Sequence, residues 1–307
     1  MREPLLNVTG LKQYFGTGRR TVFKAVNGVS FVIYPGETYG LVGESGSGKT
    51  TIGRSLIRLY TPTEGTVVFN GREISGPLDK ETREMLRENM QMIYQDPMSS
   101  LNPRKKVGDI IGEGLDIHHR AANRTERTAL VAEMLEKVGL SSAHAERYPH
   151  QFSGGQRQRV GIARALILNP KLVIADECIS ALDVSIQAQV VNLMKDIQAE
   201  TQCSYLFIAH DLSMVKYISD RIGVLHRGYM VETGTTDDIF NHPIHPYTKS
   251  LLSAVPHPNP EVEKRRVSLA YDPKEAGVDY AKGTVHSLGE SHDVLATDEE
   301  FARWTAV

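Results

Sequence analysis

Gly43-Glu44-Ser45-Gly46-Ser47-Gly48-Lys49-Thr50 carries glycine at its first, fourth and sixth positions and closes on a lysine and a hydroxyl residue. Gly-x4-Gly-Lys-Thr is the spacing of a phosphate loop. The glycines let backbone N–H groups turn toward phosphate oxygens, Lys49 neutralises them, and Thr50 offers a hydroxyl to Mg²⁺. Four fixed positions arise by chance in a chain of this length about one time in a hundred. The context fits as well. Tyr39-Gly40-Leu41-Val42 reads as a short buried strand, and from Thr50 to Leu59 the residues Ile52, Leu56 and Leu59 recur at helical spacing. A strand, a glycine-rich loop and a helix in that order are what a phosphate site requires.

Outward from the loop, Ala25 to Tyr34 alternates in part and stops at Pro35-Gly36, a strand closed by a turn, and Thr66-Val67-Val68-Phe69-Asn70-Gly71 reads the same way. Leu172-Val173-Ile174-Ala175, Tyr205-Leu206-Phe207-Ile208-Ala209 and Ile222-Gly223-Val224-Leu225 are unbroken apolar runs, the pattern of strands covered on both faces. Helical segments between the first two argue for a mostly parallel sheet. Asp176 and Glu177 close the first run, at the strand end where open α/β sheets bind ligands. There Asp176 would hold Mg²⁺ through water and Glu177 would orient or deprotonate an attacking water. An acidic pair standing alone also begins helices and loops.

Between Gln95 and Gln156 the pattern turns helical. Asn123 with Glu126 resembles a capping box, and Leu130, Val131, Met134, Leu135 and Val138 form an apolar stripe ended by Gly139. Beyond about Pro256 the patterning fades, and Pro258, Pro260 and Pro273 suggest a linker and a loosely structured tail. Trp304, the single tryptophan, would sit in a frayed terminus or a short docking helix.

Composition narrows the function. The 307 residues can bury one full-size core and a small second domain. Hydrophobic residues at 40% and charged residues at 23% are those of a globular chain. With 35 basic and 37 acidic residues there is no global field for nucleic acid, and Arg104-Lys105-Lys106 reads as a solvated face. Cys178 and Cys203, the only cysteines, are too few for a disulfide framework or thiolate cluster, and pairs such as His118-His119 read as exposed loop residues without ligand spacing. No signal-peptide core and no apolar run of about 18 residues is present, so a cytoplasmic location is expected and any membrane-spanning part must come from partners.

Phe152-Ser153-Gly154-Gly155-Gln156-Arg157-Gln158-Arg159 sets small residues and a hydroxyl at the start of a helix, a second anion-binding nest. Taken with the phosphate loop, this set resembles the ATP-binding cassette (ABC) ATPases over about residues 5 to 256. Residues 152–156 look like the family signature, with Phe152 where leucine is commonest. Ser180-Ala181-Leu182-Asp183 looks like the D-loop, Gln95 like the Q-loop glutamine and His210 like the switch histidine. The narrower likeness is to ATPase subunits of dipeptide and oligopeptide importers, whose relatives also carry nickel and oligosaccharides. It rests on Ser99-Ser100-Leu101-Asn102-Pro103-Arg104-Lys105-Lys106, Arg147-Tyr148-Pro149-His150-Gln151-Phe152 and His245-Pro246-Tyr247-Thr248-Lys249-Ser250-Leu251-Leu252.

The resemblance implies a phosphate-loop NTPase core of the α/β class: a mostly parallel sheet flanked by helices with an N-terminal antiparallel part, spanning 1–255. A helical subdomain is inserted at about 96–156, and 256–307 forms a loosely structured or partner-docking tail. It implies ATP contacts from Gly43 to Thr51 (Gly43, Glu44, Ser45, Gly46, Ser47, Gly48, Lys49, Thr50, Thr51), from Gln95 and His210, and from Phe15 stacked on adenine, with Tyr14 as the alternative. Mg²⁺ would be held by Thr50, Gln95 and Asp176, and catalysis would fall to Glu177, His210 and Lys49. Ser153, Gly154, Gly155 and Gln156 would contact the ATP of a second ATPase subunit, copy or homologue. Two transmembrane permease subunits and an extracytoplasmic solute-binding protein complete the implied assembly at the cytoplasmic face of the membrane. Cys178 stands where proline is usual, so a less rigid turn is expected after Glu177. No cysteine follows Cys203, so no iron–sulfur cluster is expected. A soluble ABC ATPase acting on ribosomes or DNA is the alternative, yet such chains carry two cassettes or a long coiled coil. A small-molecule kinase would have no use for the signature.

Overall fold

The computed structural model describes residues 2–16, 22–255, 269–273, 276–289 and 291–306. The chain opens with β1 (Leu6–Gly16) and β2 (Val22–Ile33), which pair antiparallel from Leu6 opposite Ile33 to Gly16 opposite Val22. After β3 (Thr38–Val42) and α1 (Lys49–Leu56), β4 (Glu64–Phe69) pairs with the other edge of β1, and the two-residue β5 (Arg72–Glu73) completes a four-stranded antiparallel sheet in the order β2-β1-β4-β5. Leu6 and Val8 face inward two residues apart, as a half-buried strand demands.

Helix α2 (Lys80–Asn89) leads into β6 (Met90–Ile93). Four α-helices then follow, α3 (Pro97–Ser100), α4 (Val107–Ile117), α5 (Arg124–Lys137) and α6 (Gly154–Leu166). Asn123 caps α5 by accepting the Glu126 N–H at 3.0 Å, while the Glu126 carboxylate reaches the Ala122 N–H at 2.6 Å, one residue short of a true capping box. His118 closes α4 with its Nδ1 3.3 Å from Glu88, so it is more enclosed than a loop histidine.

The chain then builds its main sheet from β7 (Leu172–Asp176), α7 (Val184–Thr201), β8 (Ser204–Ala209), α8 (Leu212–Ile218), β9 (Arg221–His226) and β10 (Tyr229–Thr235). Strands β9, β3, β8, β7 and β6 lie side by side in parallel, and β10 turns back antiparallel on β9. Along β8, Tyr205 and Phe207 pack into one hydrophobic cluster with α7 and the helices of residues 107–166, while Leu206 and Ile208 pack into the other with α1 and the antiparallel sheet. Both faces are covered, which is why every position of β7 and β8 is buried. Helix α1 ends at Leu56 because Arg58 adopts φ +62°, so Leu59 leaves the apolar face assigned to it and is exposed.

After α9 (Thr236–Asn241) and α10 (Pro246–Ser253), the structure departs from the expectation of a loosely structured tail. Strands β11 (Thr284–Ser287) and β12 (Asp293–Ala296) form a hairpin whose β12 pairs with β10, giving the eight-stranded order β11-β12-β10-β9-β3-β8-β7-β6. Helix α11 (Asp298–Thr305), capped by Thr297 and Glu300, folds back on the hairpin. Trp304 is 8% exposed there, against Val294 and Ala296, and so belongs to a small core of its own. Residues 256–268, including Pro258 and Pro260, lie outside the described residues.

Candidate functional site

Four parallel strands deliver the site, with Gln95 coming from just beyond β6. The carboxyl ends of β3, β7 and β8 give Gly43, Asp176-Glu177 and His210, so residues remote in sequence meet at the carboxyl end of the parallel strands. The loop after β3 is shaped by close backbone contacts. A Cβ on Gly43 (φ +151°) would lie 2.0 Å from the Leu225 carbonyl oxygen, and one on Gly48 (φ +112°) 2.4 Å from that of Ala25. Neither position admits another residue without moving the chain. The Lys49 ammonium donates to the carbonyls of Gly43 at 2.7 Å and Glu44 at 2.9 Å, and burial holds its pKa below the usual lysine value. Ser47 Oγ is buried with no hydrogen-bond partner among the described residues. An orphaned hydroxyl, a desolvated ammonium and the open N–H groups at the start of α1 together suit a polyphosphate.

Thr50 donates its hydroxyl to Asp176 Oδ1 at 2.8 Å. Burial holds the Asp176 carboxyl above the usual carboxylate range, opposed by that hydrogen bond. Two hard oxygen donors side by side at the phosphate loop fit Mg²⁺. Glu177 adopts φ +46°, a left-handed conformation uncommon for glutamate, pinned by its N–H to the Ile208 carbonyl at 2.9 Å. Its carboxylate gathers the rest of the site. Gln95 Nε2 donates to Oε2 at 2.8 Å, Lys49 Nζ lies 3.9 Å from Oε1, and His210 Nδ1 lies 3.9 Å from Oε2. Ile179, Ser180, Gln187 and Ala209 line the small cavity between Glu177 and His210.

Tyr14 and Phe15 differ in what occupies them. The Tyr14 hydroxyl donates to Asn27 Oδ1, whereas the half-buried Phe15 meets Tyr60 edge-on with ring centroids 5.2 Å apart. Ser153 caps α6 reciprocally: its Oγ takes the Gln156 N–H at 3.3 Å and its N–H donates to Gln156 Oε1 at 3.0 Å. Ser153 is exposed, and Gly154 and Gly155 pack toward Leu182 and Ile186. A Cβ on Gly155 would fall 2.8 Å from Ile186 Cγ2. Ser180 holds the turn after Glu177 by donating both N–H, at 3.1 Å, and hydroxyl, at 2.9 Å, to the Glu177 carbonyl. Ala181 and Asp183 are exposed ahead of α7.

The structure thus brings Gly43–Thr50, Gln95, Asp176, Glu177 and His210 together and leaves Ser153 exposed at the start of α6, with the half-buried Gly154 and Gly155 against Leu182 and Ile186. One contact had no signal in the local pattern: the phenol oxygen of Tyr247, at the start of α10, accepts the Glu44 N–H at 3.0 Å.

Residues 26–180 match the model of the ABC transporter family, and residues 231–277 match that of the oligopeptide/dipeptide transporter C-terminal region. The chain is 57% identical to the oligopeptide transport ATP-binding protein OppF of Bacillus subtilis (strain 168), over 98% of this chain and 99% of that protein. It is 54% identical to the dipeptide transport ATP-binding protein DppF of Lactococcus lactis subsp. cremoris (strain MG1363), over 98% and 97%. The fold matches a dimeric structure of the ATP-binding cassette MJ0796 in a post-hydrolysis state bound to ADP and Pi, with TM-score 0.69, 28% identity, and coverage of 75% of this chain and 98% of that one. No helix among the described residues is long and apolar enough to cross a membrane.

Proposed function

The chain belongs to the ABC transporter family, in its branch of oligopeptide and dipeptide transport ATP-binding proteins, and from that premise we propose that it is the ATP-hydrolysing subunit powering import of di- or oligopeptides, or of a related solute such as an oligosaccharide or nickel. The observation that carries the ATPase chemistry is the meeting of Lys49, Gln95 and His210 on the Glu177 carboxylate. The match of residues 231–277 supports the peptide branch.

In this reading the ATP phosphates lie along Gly43 to Thr51, where backbone N–H groups, the Ser47 hydroxyl and the Lys49 ammonium receive them. Phe15 stacks on adenine, a role supported by Tyr14 being committed to Asn27. Thr50, Gln95 and Asp176, the last through water, would hold Mg²⁺, which when bound neutralises phosphate charge. Glu177 accepts the proton of a water as its oxygen bonds to the terminal phosphorus and the bond to ADP breaks. His210 and Lys49 stabilise the charge spread over the transferred group.

Ser153 to Gln156, at the start of α6 where Ser153 is exposed, would close over the ATP of a second ATPase subunit, with Ser180 to Asp183 at the shared boundary. The dimeric state of the similar cassette supports this arrangement. Two transmembrane permease subunits would bind the groove of about 910 Å³ between the sheet edge and the helices of residues 107–166, lined among others by Met90, Tyr94, Ile110, Ile117 and Arg164. Gln95, next to Tyr94, would relay nucleotide state to that groove. The chain would then sit at the cytoplasmic membrane face and serve, indirectly, an extracytoplasmic solute-binding protein. The test is to purify the chain with its membrane partners and screen solutes for stimulation of ATP hydrolysis. Peptides are expected to stimulate it, whereas solute-independent hydrolysis without any membrane partner would contradict transport.

A further inference from the structure

The nucleotide site is braced from behind by aromatic residues that the mechanism does not use. Tyr247 is 1% exposed, and its phenol oxygen takes the N–H of Glu44, inside the phosphate loop. Its ring is stacked by His226, with centroids 4.0 Å apart and planes at 24°. His226 Nδ1 lies 2.5 Å from the hydroxyl of Tyr280, which belongs to the C-terminal segment and also lies 3.2 Å from the hydroxyl of Tyr271. Burial holds the His226 pKa down to about 4, so the ring is neutral at physiological pH and has one nitrogen able to accept the phenol proton.

The same phenol reaches the other end of the site. The Tyr280 ring lies 5.3 Å from that of Tyr229, whose hydroxyl accepts from Asn27 Nδ2 at 2.5 Å, and Asn27 Oδ1 accepts the hydroxyl of Tyr14, beside Phe15. Beyond β9, the Gly228 N–H donates to the Ser47 carbonyl at 2.9 Å, so the strand that carries His226 is itself tied to the loop.

We propose that Tyr247 and Tyr280 are positioning residues of the nucleotide site: Tyr280 fixes His226, His226 holds the Tyr247 ring, and Tyr247 takes the Glu44 N–H that sets the phosphate loop. This rests on the reading of residues 43–50 as the ATP loop. A loop held in its binding shape loses less conformational freedom when a ligand arrives, so the brace acts on affinity. A buried aromatic cluster with a packing role alone would instead act on stability and leave the loop's amide protons unchanged. Phenylalanine separates the two, because it keeps the ring and the stack and removes only the hydroxyl.

The experiment uses the full chain with Tyr247→Phe, Tyr280→Phe and the double variant. Tyr217→Phe, an exposed phenol bonded to Asn192, serves as control. ATP affinity is read by calorimetry, amide exchange by mass spectrometry of the peptide containing Glu44, and KM and kcat in the assembled complex. Each single variant is expected to weaken ATP binding about three- to tenfold, the usual weight of one hydrogen bond. Exchange at Glu44 should quicken, and KM should rise with kcat within about twofold. The double variant should lose no more than about the larger single loss, because both act through one chain of contacts. Wild-type affinity and exchange in Tyr280→Phe would overturn the proposal, also in the case that Tyr247→Phe does not fold. If the unmodified chain binds no ATP, the reading of the loop has failed instead.

Discussion

At Glu177 the backbone and the side chain are both committed. The φ of +46° and the N–H bond to Ile208 aim the carboxylate at Lys49, Gln95 and His210, a conformation that most residues would leave for a relaxed one. The expected looseness from Cys178 in place of proline is met by another device, since the hydroxyl and N–H of Ser180 both close on the Glu177 carbonyl. Cys178 itself is buried and its thiol is pushed up to about 12, so it is a packing residue without reactivity. General-base assistance is worth about 10² to 10⁴ in rate, or about 3 to 5 kcal/mol. Glu177→Gln is therefore expected to slow ATP hydrolysis in the assembled complex at least about a hundredfold while ATP affinity by calorimetry stays close to that of the parent. Near-normal turnover would remove Glu177 from the role. The phosphate loop, Asp176 and Glu177 stood out in the sequence because each sits inside a short local pattern, a glycine run or a carboxylate closing an apolar strand, whereas Gln95 and His210 were singled out only through the family resemblance. Tyr247 did not stand out, because its meaning lies in a contact to Glu44, 203 positions away, and a tyrosine entering a helix looks like any other core residue.

Among the elements, β7 and β8 were readable because strands covered on both faces become unbroken apolar runs. The hairpin of β11 and β12 was not. Its strands are four residues long, β11 is largely exposed, and so they carry no alternation long enough to read. What anchors it is again distant: His292 Nε2 lies 2.8 Å from Glu232 Oε1 in β10, and Glu232 also accepts the N–H groups of Ile244 and His245. That hydrogen bond, helped by Glu232, Asp238 and Asp293 nearby, raises the His292 pKa above its ordinary 6.5 against the opposing effect of burial. A raised folded-state pKa adds stability that is fully present below the unfolded value and is lost as pH rises through the folded one. The stability lost by His292→Gln, from denaturant unfolding, is therefore expected to be largest below about pH 6.5 and to shrink at alkaline pH. A loss that grows with pH would contradict the charged pair.

For the molecule as a whole, the decisive relation is between two nests that do not serve each other within one chain. The phosphate loop packs closely against the Ala25 and Leu225 carbonyls and is hydrogen-bonded to Tyr247 and, through Thr50, to Asp176, while Ser153 caps α6 at an exposed end backed by Leu182 and Ile186. In the proposed function each nest is half of an ATP site completed by a facing subunit. Ser153→Cys offers a direct test, because Cys178 and Cys203 are both buried and leave the new thiol as the one open to reagent among the described residues. In the assembled complex, a thiol-anchored photo-cross-linker at position 153 is predicted, with ATP present, to join the phosphate-loop peptide of the facing ATPase subunit in a product of about doubled mass, and to do so far less without ATP. A cross-link from position 153 to residues 43–50 of the same chain, or no intersubunit product with ATP bound, would contradict the shared site.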